Sequence, residues 1–206
     1  MVKNCRVGIL LFDEVEVLDF AGPFEVFSIA SIPDQLEKPF LVETVSQLGN
    51  LIRARNGLMV QPQYSFDNAP DFDIVIVPGG YGAEEIEINN ERVVQWIKEQ
   101  RNKAQLLASV CTGAFLLAKA GVLDGKRATT HWMDIDRLER EFPNVKIKRN
   151  CKFIDEGSII TSGGITAGIN MSFHILKRLL GEEAMKTTAK RMEYDIQMNF
   201  KETHTI

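Results

Sequence analysis

The sequence predicts an α/β domain whose mostly parallel central sheet is covered by helices on both faces. Short apolar runs typical of buried strands recur along the chain, helical stretches lie between them, and Gly- or Pro-containing turns separate the two. The 206 residues contain no linker, low-complexity tract or internal repeat. We therefore expect a single domain over 1–206.

The first half of the chain alternates strands with helices. The predicted strands are 5–12, 40–46, 73–77 and 105–110, with a short strand at 58–61 after the turn signal Asn56-Gly57. The predicted helices are 23–32, with Pro23 suited to its first turn, then 90–103, and then 112–120, which Gly121 ends.

The second half is less regular but continues the pattern. Short strands are predicted at 127–130 and 145–148, and a hairpin is predicted at 152–161 with its turn at Asp155-Glu156-Gly157. Helices are predicted at 133–141, at 166–180 after the tight turn Ser162-Gly163-Gly164, and at 182–198 before a polar tail.

Composition and charge exclude several classes of protein. The net charge is 24 − 28 = −4, so the chain lacks the positive field typical of proteins that bind nucleic acid or anionic membranes. The apolar run 7–12 is too short for a signal peptide, and no run approaches a membrane span. Three cysteines without a C-x-x-C spacing indicate neither a disulfide framework nor a zinc site. We expect a cytoplasmic protein without metal or cofactor.

Cys111 is the residue with the clearest chemical context. The predicted strand 105–110 runs directly into Cys111-Thr112-Gly113, and a helix follows at once, as in a nucleophile elbow. Such a turn strains the cysteine backbone and places the sulfur at a helix N-terminus, where a thiolate is favoured. The alternative is that Cys111 is a small buried apolar residue, and Cys5 and Cys151 are assigned that role.

Asp19 is the candidate acid beside this sulfur. It follows the first strand, whose carboxyl end lies at the same sheet edge as Cys111. Its neighbours Leu18 and Phe20 would bury it, and burial makes a carboxyl group a usable acid. A plain helix N-cap is the alternative role, and Glu14 and Glu16 are rival carboxylates in the same loop.

Two further loops are expected at this edge. Gly79 and Gly80 follow the strand 73–77, and the Gly80 N–H could form an oxyanion-type hole with the N–H of Thr112. His131 is a candidate base but is more typical of a pocket wall, and His174 is predicted to lie in the core. The glycines of 163–168 either face the pocket or serve close helix–sheet packing.

Four segments together resemble the PfpI/ThiJ superfamily of class I glutamine amidotransferase-like proteins. They are GILLFDEVEVLDFAGPFEVF, DIVIVPGGYG, LLASVCTGAFLLAKAGVLDGKRATTHW and IITSGGITAGIN, and the similarity runs from about residue 6 to 199. The closest branch holds isocyanide hydratase and the sensor domains of some AraC-type regulators. The resemblance implies a flavodoxin-like three-layer sandwich, a homodimer and a small-molecule substrate.

The same resemblance assigns roles to individual residues. Cys111 would be the nucleophile, Asp19 the acid touching its sulfur, and Thr112 and Gly80 the lining of an anion site. Ile165 falls where the hydratase has an isoleucine beside the cysteine. Protease-like members have His where this chain has Thr112, and the glyoxalase-like and redox-protective members have Glu where it has Asp19.

These departures favour a hydratase that converts an isocyanide to an N-substituted formamide. An amidase or reactive-carbonyl enzyme using the same cysteine is the first alternative. A ligand or redox sensor is the second. AraC-type relatives carry a DNA-binding region after this domain, and we expect none in a chain that ends at Ile206.

Overall fold

A seven-stranded sheet forms the centre of the protein in a computed structural model that describes residues 5–196. Its strands are β1 (Cys5–Leu10), β2 (Phe40–Ser46), β5 (Tyr64–Ser65), β6 (Ile74–Val77), β7 (Leu106–Ser109), β10 (Phe153–Asp155) and β11 (Ile159–Ser162). The order across the sheet is β10-β11-β7-β6-β1-β2-β5. Within this sheet, as far as the described residues show it, only β10 and β11 pair antiparallel, which confirms the predicted mostly parallel sheet.

Four short strands form two small sheets beside the main one. They are β3 (Ile52–Arg53) with β4 (Met59–Val60), and β8 (Arg127–Ala128) with β9 (Lys146–Ile147). Asn56 takes a left-handed φ of 61° in the turn between β3 and β4, as its turn signal predicts. The partner strand β3 was not predicted, because two residues are too few to show a pattern.

Helices cover both faces of the sheet. They are α1 (Val17–Ser28), α2 (Glu91–Lys103), α3 (Gly113–Lys119), α4 (Ile135–Glu141), α5 (Thr166–Leu180) and α6 (Glu182–Arg191). Helix α1 packs against α5, while α2 packs against α3 as a separate layer. Most predicted helices are confirmed with ends shifted by one or two residues. The prediction for 182–198 extends beyond α6 and partly outside the described residues.

The predicted start of the first helix is wrong. Helix α1 begins at Val17 instead of Pro23, and Pro23 lies inside it. Gly22 faces α5 so closely that a Cβ there would lie 2.8 Å from Ile169 Cγ1. The packing of this helix therefore outweighs the local preference of proline for a first turn. The shift moves Asp19 from a loop into the first turn of α1.

The chain changes direction across the sheet between β1 and β6. From β1 it crosses through α1 to β2, whereas from β6 it crosses through α2 to β7 on the other side. The loops that leave these strands consequently separate to opposite faces and open a crevice at their carboxyl ends. In open α/β sheets this crevice is the usual place for a ligand.

Gly113 allows α3 to approach the sheet. A Cβ at this position would lie 2.2 Å from the carbonyl oxygen of Val77, which is backbone and cannot rotate away. We expect Gly113→Ala to lower the free energy of unfolding by about 3 kcal/mol through overpacking. Denaturant unfolding measures this change.

Gly163→Ala is the matched control, since its added Cβ would meet nothing closer than 3.6 Å. Its expected effect is within about 0.5 kcal/mol. Equal stability of Gly113→Ala and the parent would contradict the close approach of α3 to the sheet.

Candidate active site

Cys111 sits at a strained turn between β7 and α3. Its φ is 55°, the left-handed region that a residue with a side chain seldom adopts. Two hydrogen bonds hold the strained peptide. The Cys111 N–H donates to the carbonyl oxygen of Gly163 at 3.2 Å, and the Thr130 hydroxyl donates to the Cys111 carbonyl oxygen at 2.8 Å. The elbow predicted from the sequence is therefore present in the fold.

Asp19 lies beside the sulfur with its side chain fully buried. Its Oδ2 accepts a hydrogen bond from the Gly79 N–H and its Oδ1 accepts one from the Ile165 N–H, both at 3.1 Å. Its carboxyl group also shares a hydrogen bond with the Cys111 side chain. Asp19 is therefore not an N-cap; the cap position of α1 belongs to Glu16.

The rival carboxylates do not take this place. Glu16 forms an ion pair with Arg55 at 3.1 Å. Glu14 has a φ of 60°, and its carbonyl oxygen accepts from the Gly82 N–H. Of the three acidic residues singled out in this stretch of the sequence, Asp19 is the one with a side chain bonded to Cys111.

Burial raises the proton affinity of both members of this pair. Burial raises the pKa of Asp19 to about 7; the Gly79 N–H opposes this rise, and the charge of Glu16 adds to it. Burial also raises the pKa of the Cys111 thiol, and the negative charge of Asp19 raises it further. Two adjacent anions in a buried site are therefore disfavoured.

The expectation of a thiolate stabilised by the helix N-terminus is wrong for the resting site. The Thr112 N–H does lower the pKa of Cys111, but burial outweighs it. The sulfur lies in a residue that is only 7% exposed, and α3 is a helix of seven residues. The pair consequently holds two protons below the Asp19 pKa of about 7 and one proton, shared between carboxylate and sulfur, above it.

The N–H groups predicted to form an oxyanion hole are engaged in other hydrogen bonds. The Gly80 N–H donates to Thr112 Oγ1 at 2.9 Å, and the Gly79 N–H is bonded to Asp19. Neither N–H points to an empty position, so the expected pairing of Gly80 with the Thr112 N–H is not formed. Gly80 instead fixes the Thr112 side chain. Its φ of 113° and a Cβ position 2.4 Å from the Glu16 nitrogen require glycine here.

His131 forms part of the wall beside the site. Its Nδ1 lies 3.3 Å from Asp134 Oδ2, and its ring packs on Gly164, where a Cβ would lie 2.1 Å from Cδ2. This contact explains the second glycine of Gly163-Gly164 as close packing. His131 is thus placed as a wall residue and not as a base bonded to the sulfur.

The same wall continues with exposed apolar side chains. Trp132 is 76% exposed, with its ring centroid 5.9 Å from that of His131, and Met133 is also exposed. Ile165 is 38% exposed, has a φ of 55°, and follows Gly164 directly. Of these residues, Ile165 lies at the site, since its N–H donates to Asp19 Oδ1.

His174 differs from its predicted position in the core. Its side chain is 13% exposed, and its Nε2 lies 2.7 Å from Asp155 Oδ2 on the β10–β11 hairpin. Residue 204, the third histidine, lies outside the described residues. Cys5 and Cys151 are only partly buried, so their assignment as small buried apolar residues stays a prediction.

Two polar groups near the site were missed from the sequence. Thr130 was not singled out, because no local pattern shows that its hydroxyl reaches Cys111. Glu84, on a π-helical turn at Gly82–Ile86, has a buried Oε2 without a hydrogen-bond partner in the described part of the chain. A π-helical turn has no sequence signature comparable to that of an α-helix.

The described residues contain neither a metal cluster nor a membrane span. Over 5–196, no three His, Cys, Asp or Glu side chains are grouped so that they could hold a metal ion. Within the same range, no helix combines the length and the apolar character needed to cross a bilayer.

Comparison with known proteins places the chain in a family. The model of the DJ-1/PfpI family matches residues 5–178. This chain belongs to the DJ-1/PfpI family. Solved structures that share the fold include a ThiJ/PfpI family protein from Pseudomonas syringae (TM-score 0.84, 22% identity, 97% of this chain and 78% of the other). DJ-1beta of Drosophila melanogaster is another (TM-score 0.80, 21% identity, 94% and 100%).

Relatives within the DJ-1/PfpI family differ in what they do. The isonitrile hydratase of Pseudomonas putida is 33% identical over 92% of this chain and 78% of its own. The HTH-type transcriptional regulator GbdR of Pseudomonas aeruginosa is 31% identical over 92% of this chain. The present chain spans about half the length of that regulator. The family thus includes both enzymes and regulators.

The Thr130 hydroxyl can be tested as a support of the elbow. Thr130→Val keeps the shape but removes the hydrogen bond to the Cys111 carbonyl oxygen, so we expect a loss of about 1 to 2 kcal/mol in unfolding free energy. We also expect slower alkylation of Cys111 by iodoacetamide. Thr130→Ser, which keeps the hydroxyl, should restore both; equal values for Val and Ser would contradict the role.

The charge of Asp19 can be tested through the titration of Cys111. Asp19→Asn removes a neighbouring anion, so the pKa of the thiol should fall and iodoacetamide alkylation of Cys111 should begin at lower pH. Mass spectrometry of each cysteine against pH measures this shift. Cys5 and Cys151 serve as controls within the same chain, and an unchanged or higher midpoint at Cys111 would contradict the coupling.

Proposed function

We propose that the protein is a cysteine-dependent hydratase that converts a small isocyanide and water to an N-substituted formamide. The observation that carries the proposal is the buried Asp19 carboxyl group bonded to the Cys111 sulfur at the strand-end crevice. The 33% identity to an isonitrile hydratase over most of both chains supports it, since isonitrile and isocyanide name the same group.

The first step uses the single proton that the pair holds. As the Cys111 sulfur attacks the terminal carbon of the isocyanide, its proton passes to Asp19, so two anions never coexist in the buried site. Asp19 then delivers the proton to that same carbon. A carbon–sulfur and a carbon–hydrogen bond have formed, and the product is a thioimidate bound to the enzyme.

The second step releases the product and restores the thiol. Water adds to the thioimidate carbon, the carbon–sulfur bond breaks, and sulfur regains a proton as the N-substituted formamide leaves. The sum is one isocyanide plus one water. This chemistry does not require a histidine base, which agrees with the pairing of His131 with Asp134.

The surroundings of the pair suit an apolar substituent on the isocyanide nitrogen. Ile165, whose N–H donates to Asp19 Oδ1, presents a partly exposed apolar side chain beside the pair. A substituent lying against it would lose contact with water, which favours binding. We further expect a cytoplasmic homodimer acting on a small molecule; these remain predictions.

Turnover of a small alkyl isocyanide tests the function directly. The parent protein should form the N-alkylformamide, detected by proton NMR, and Cys111→Ala should form none because the nucleophile is absent. Cys151→Ala is the matched control and should retain full turnover. Absence of formamide with the parent protein would reject the activity, and turnover of methylglyoxal instead would select the reactive-carbonyl alternative.

The pH profile follows from the shared proton. The reactive form of the pair holds one proton, and it replaces the two-proton form as pH rises through the Asp19 pKa of about 7. We therefore expect kcat/KM to fall about tenfold per pH unit well below that value and to level off above it. A profile that is flat between pH 5 and 8 would contradict this assignment.

A ligand-sensing domain is the second candidate function. The similarity to a transcriptional regulator over 92% of this chain favours it. A sensor would bind its ligand saturably at the crevice without turning it over. Formamide production would exclude a purely sensory role, whereas saturable binding without product would support it.

A further inference from the structure

A second cleft opens at the same sheet edge, on the β2 side of β1. Its volume is about 320 Å³, and it lies beyond the carboxyl ends of β1 and β2. Apolar walls come from Leu48, Leu51, Ile52 and Val93. Asp13 and Glu87 bring two carboxyl groups to it. None of these side chains takes part in the chemistry proposed at Cys111.

Glu87 is unusual because it is a largely buried acid without a counter-charge among the described residues. The residue is 9% exposed, and its Oε2 accepts a hydrogen bond from the Asn90 side chain at 2.8 Å. Over the described range 5–196, Glu87 forms no ion pair, and its Oε1 has no hydrogen-bond donor and is open to the cleft rather than enclosed. Carboxylates that are largely removed from water are normally paired with a cation.

A structural role explains only one of the two carboxyl oxygens of Glu87. Asn90 caps α2 by accepting from the Arg92 N–H, and its amide also donates to Gln47 Oε1 at 2.7 Å. Glu87 Oε2 orients that amide. The remaining oxygen has no such task. Burial raises the pKa of Glu87, and the charge of Asp13 acts in the same direction, as is typical of an acid that lacks a cation.

We propose that this cleft, called here the Glu87 cleft, is a second binding site that takes a small organic ammonium ion with an apolar chain. The ammonium group would donate to the free oxygen of Glu87 and lie near Asp13. The chain would cover Leu48 and Leu51, which are 67% and 54% exposed. The volume is at the lower end for small-molecule sites, which suits a small amine.

The residues that line the Glu87 cleft favour an organic ammonium ion over other classes of ligand. A metal ion would need several oxygen or nitrogen ligands around one point, whereas here apolar side chains form much of the lining. An anion would meet two carboxyl groups of like charge. A neutral apolar compound would leave Glu87 without a counter-charge. An ammonium ion with a short hydrocarbon chain can pair with the carboxyl groups and pack against the apolar side chains.

Calorimetric titration of the full chain with n-hexylammonium chloride tests the site. We expect saturable binding of one ion per chain, at least tenfold weaker binding by Glu87→Gln, and undetectable binding of n-hexanol. Glu99→Gln is the matched control, because Glu99 is an exposed acid on α2 outside the cleft, and it should bind as the parent does.

A second variant keeps the test valid if Glu87→Gln does not fold. Leu51→Lys changes an exposed side chain and places an ammonium group at the cleft, so it should abolish binding while unfolding as the parent does. Equal binding of hexanol and hexylammonium, or undiminished binding by Glu87→Gln, would overturn the proposal. So would binding that Asp19→Asn removes and Glu87→Gln leaves intact.

The proposal would also be overturned if a second copy of the chain covered the Glu87 cleft. In that case sedimentation would show a dimer that Leu51→Lys dissociates, and hexylammonium would not bind to the parent. Isocyanide turnover is measured separately at Cys111, so failure of one proposal leaves the other open to its own test.

Discussion

The whole site depends on the hydrogen bonds made by the buried Asp19 carboxyl group. It lies in the first turn of α1, yet its two oxygens accept N–H groups from the loops after β6 and β11, and the same group bonds the sulfur after β7. Four segments that are distant in sequence therefore meet at one buried acid. Because a buried carboxyl group needs hydrogen-bond donors, this convergence is also required for the fold to tolerate it.

The same burial sets the chemistry. A carboxyl group that is removed from water keeps its proton to higher pH, and a neighbouring carboxylate makes the thiol keep its own. In the proposed reaction the pair would work as one unit, in which a proton moves from sulfur to oxygen during attack. An isolated thiolate at the N-terminus of a short helix would behave differently. It would be more reactive before substrate binds, but no neighbouring acid would hold a proton for transfer to the substrate.

Much of the fold is predictable from local patterns. The strands 40–46 and 73–77 and the helix 166–180 are long enough, and regular enough, for their apolar spacing to identify them. Prediction fails where packing competes with local preference. Pro23 suggests a helix start, but contact of α1 with α5 extends the helix back to Val17.

The site shows the same division. Cys111 and Asp19 could be singled out because a strand–turn–helix pattern and an acid between apolar neighbours are both local features. The donors of the expected oxyanion hole were assigned wrongly, because the sequence does not show that Thr112 Oγ1 accepts the Gly80 N–H. The role of Thr130 was missed for the same reason: its hydroxyl meets Cys111 across nineteen positions of sequence.

The amino-acid sequence by itself determined the class of fold, the order of its longer elements, and the two side chains proposed to react. Those properties follow from periodicity, glycine placement and apolar flanks, all of which act within a few residues. Only the tertiary structure decided how the proton is shared, which N–H groups remain available, and where Glu87 lies without a counter-charge. These depend on burial and on contacts between distant segments, which no local pattern contains.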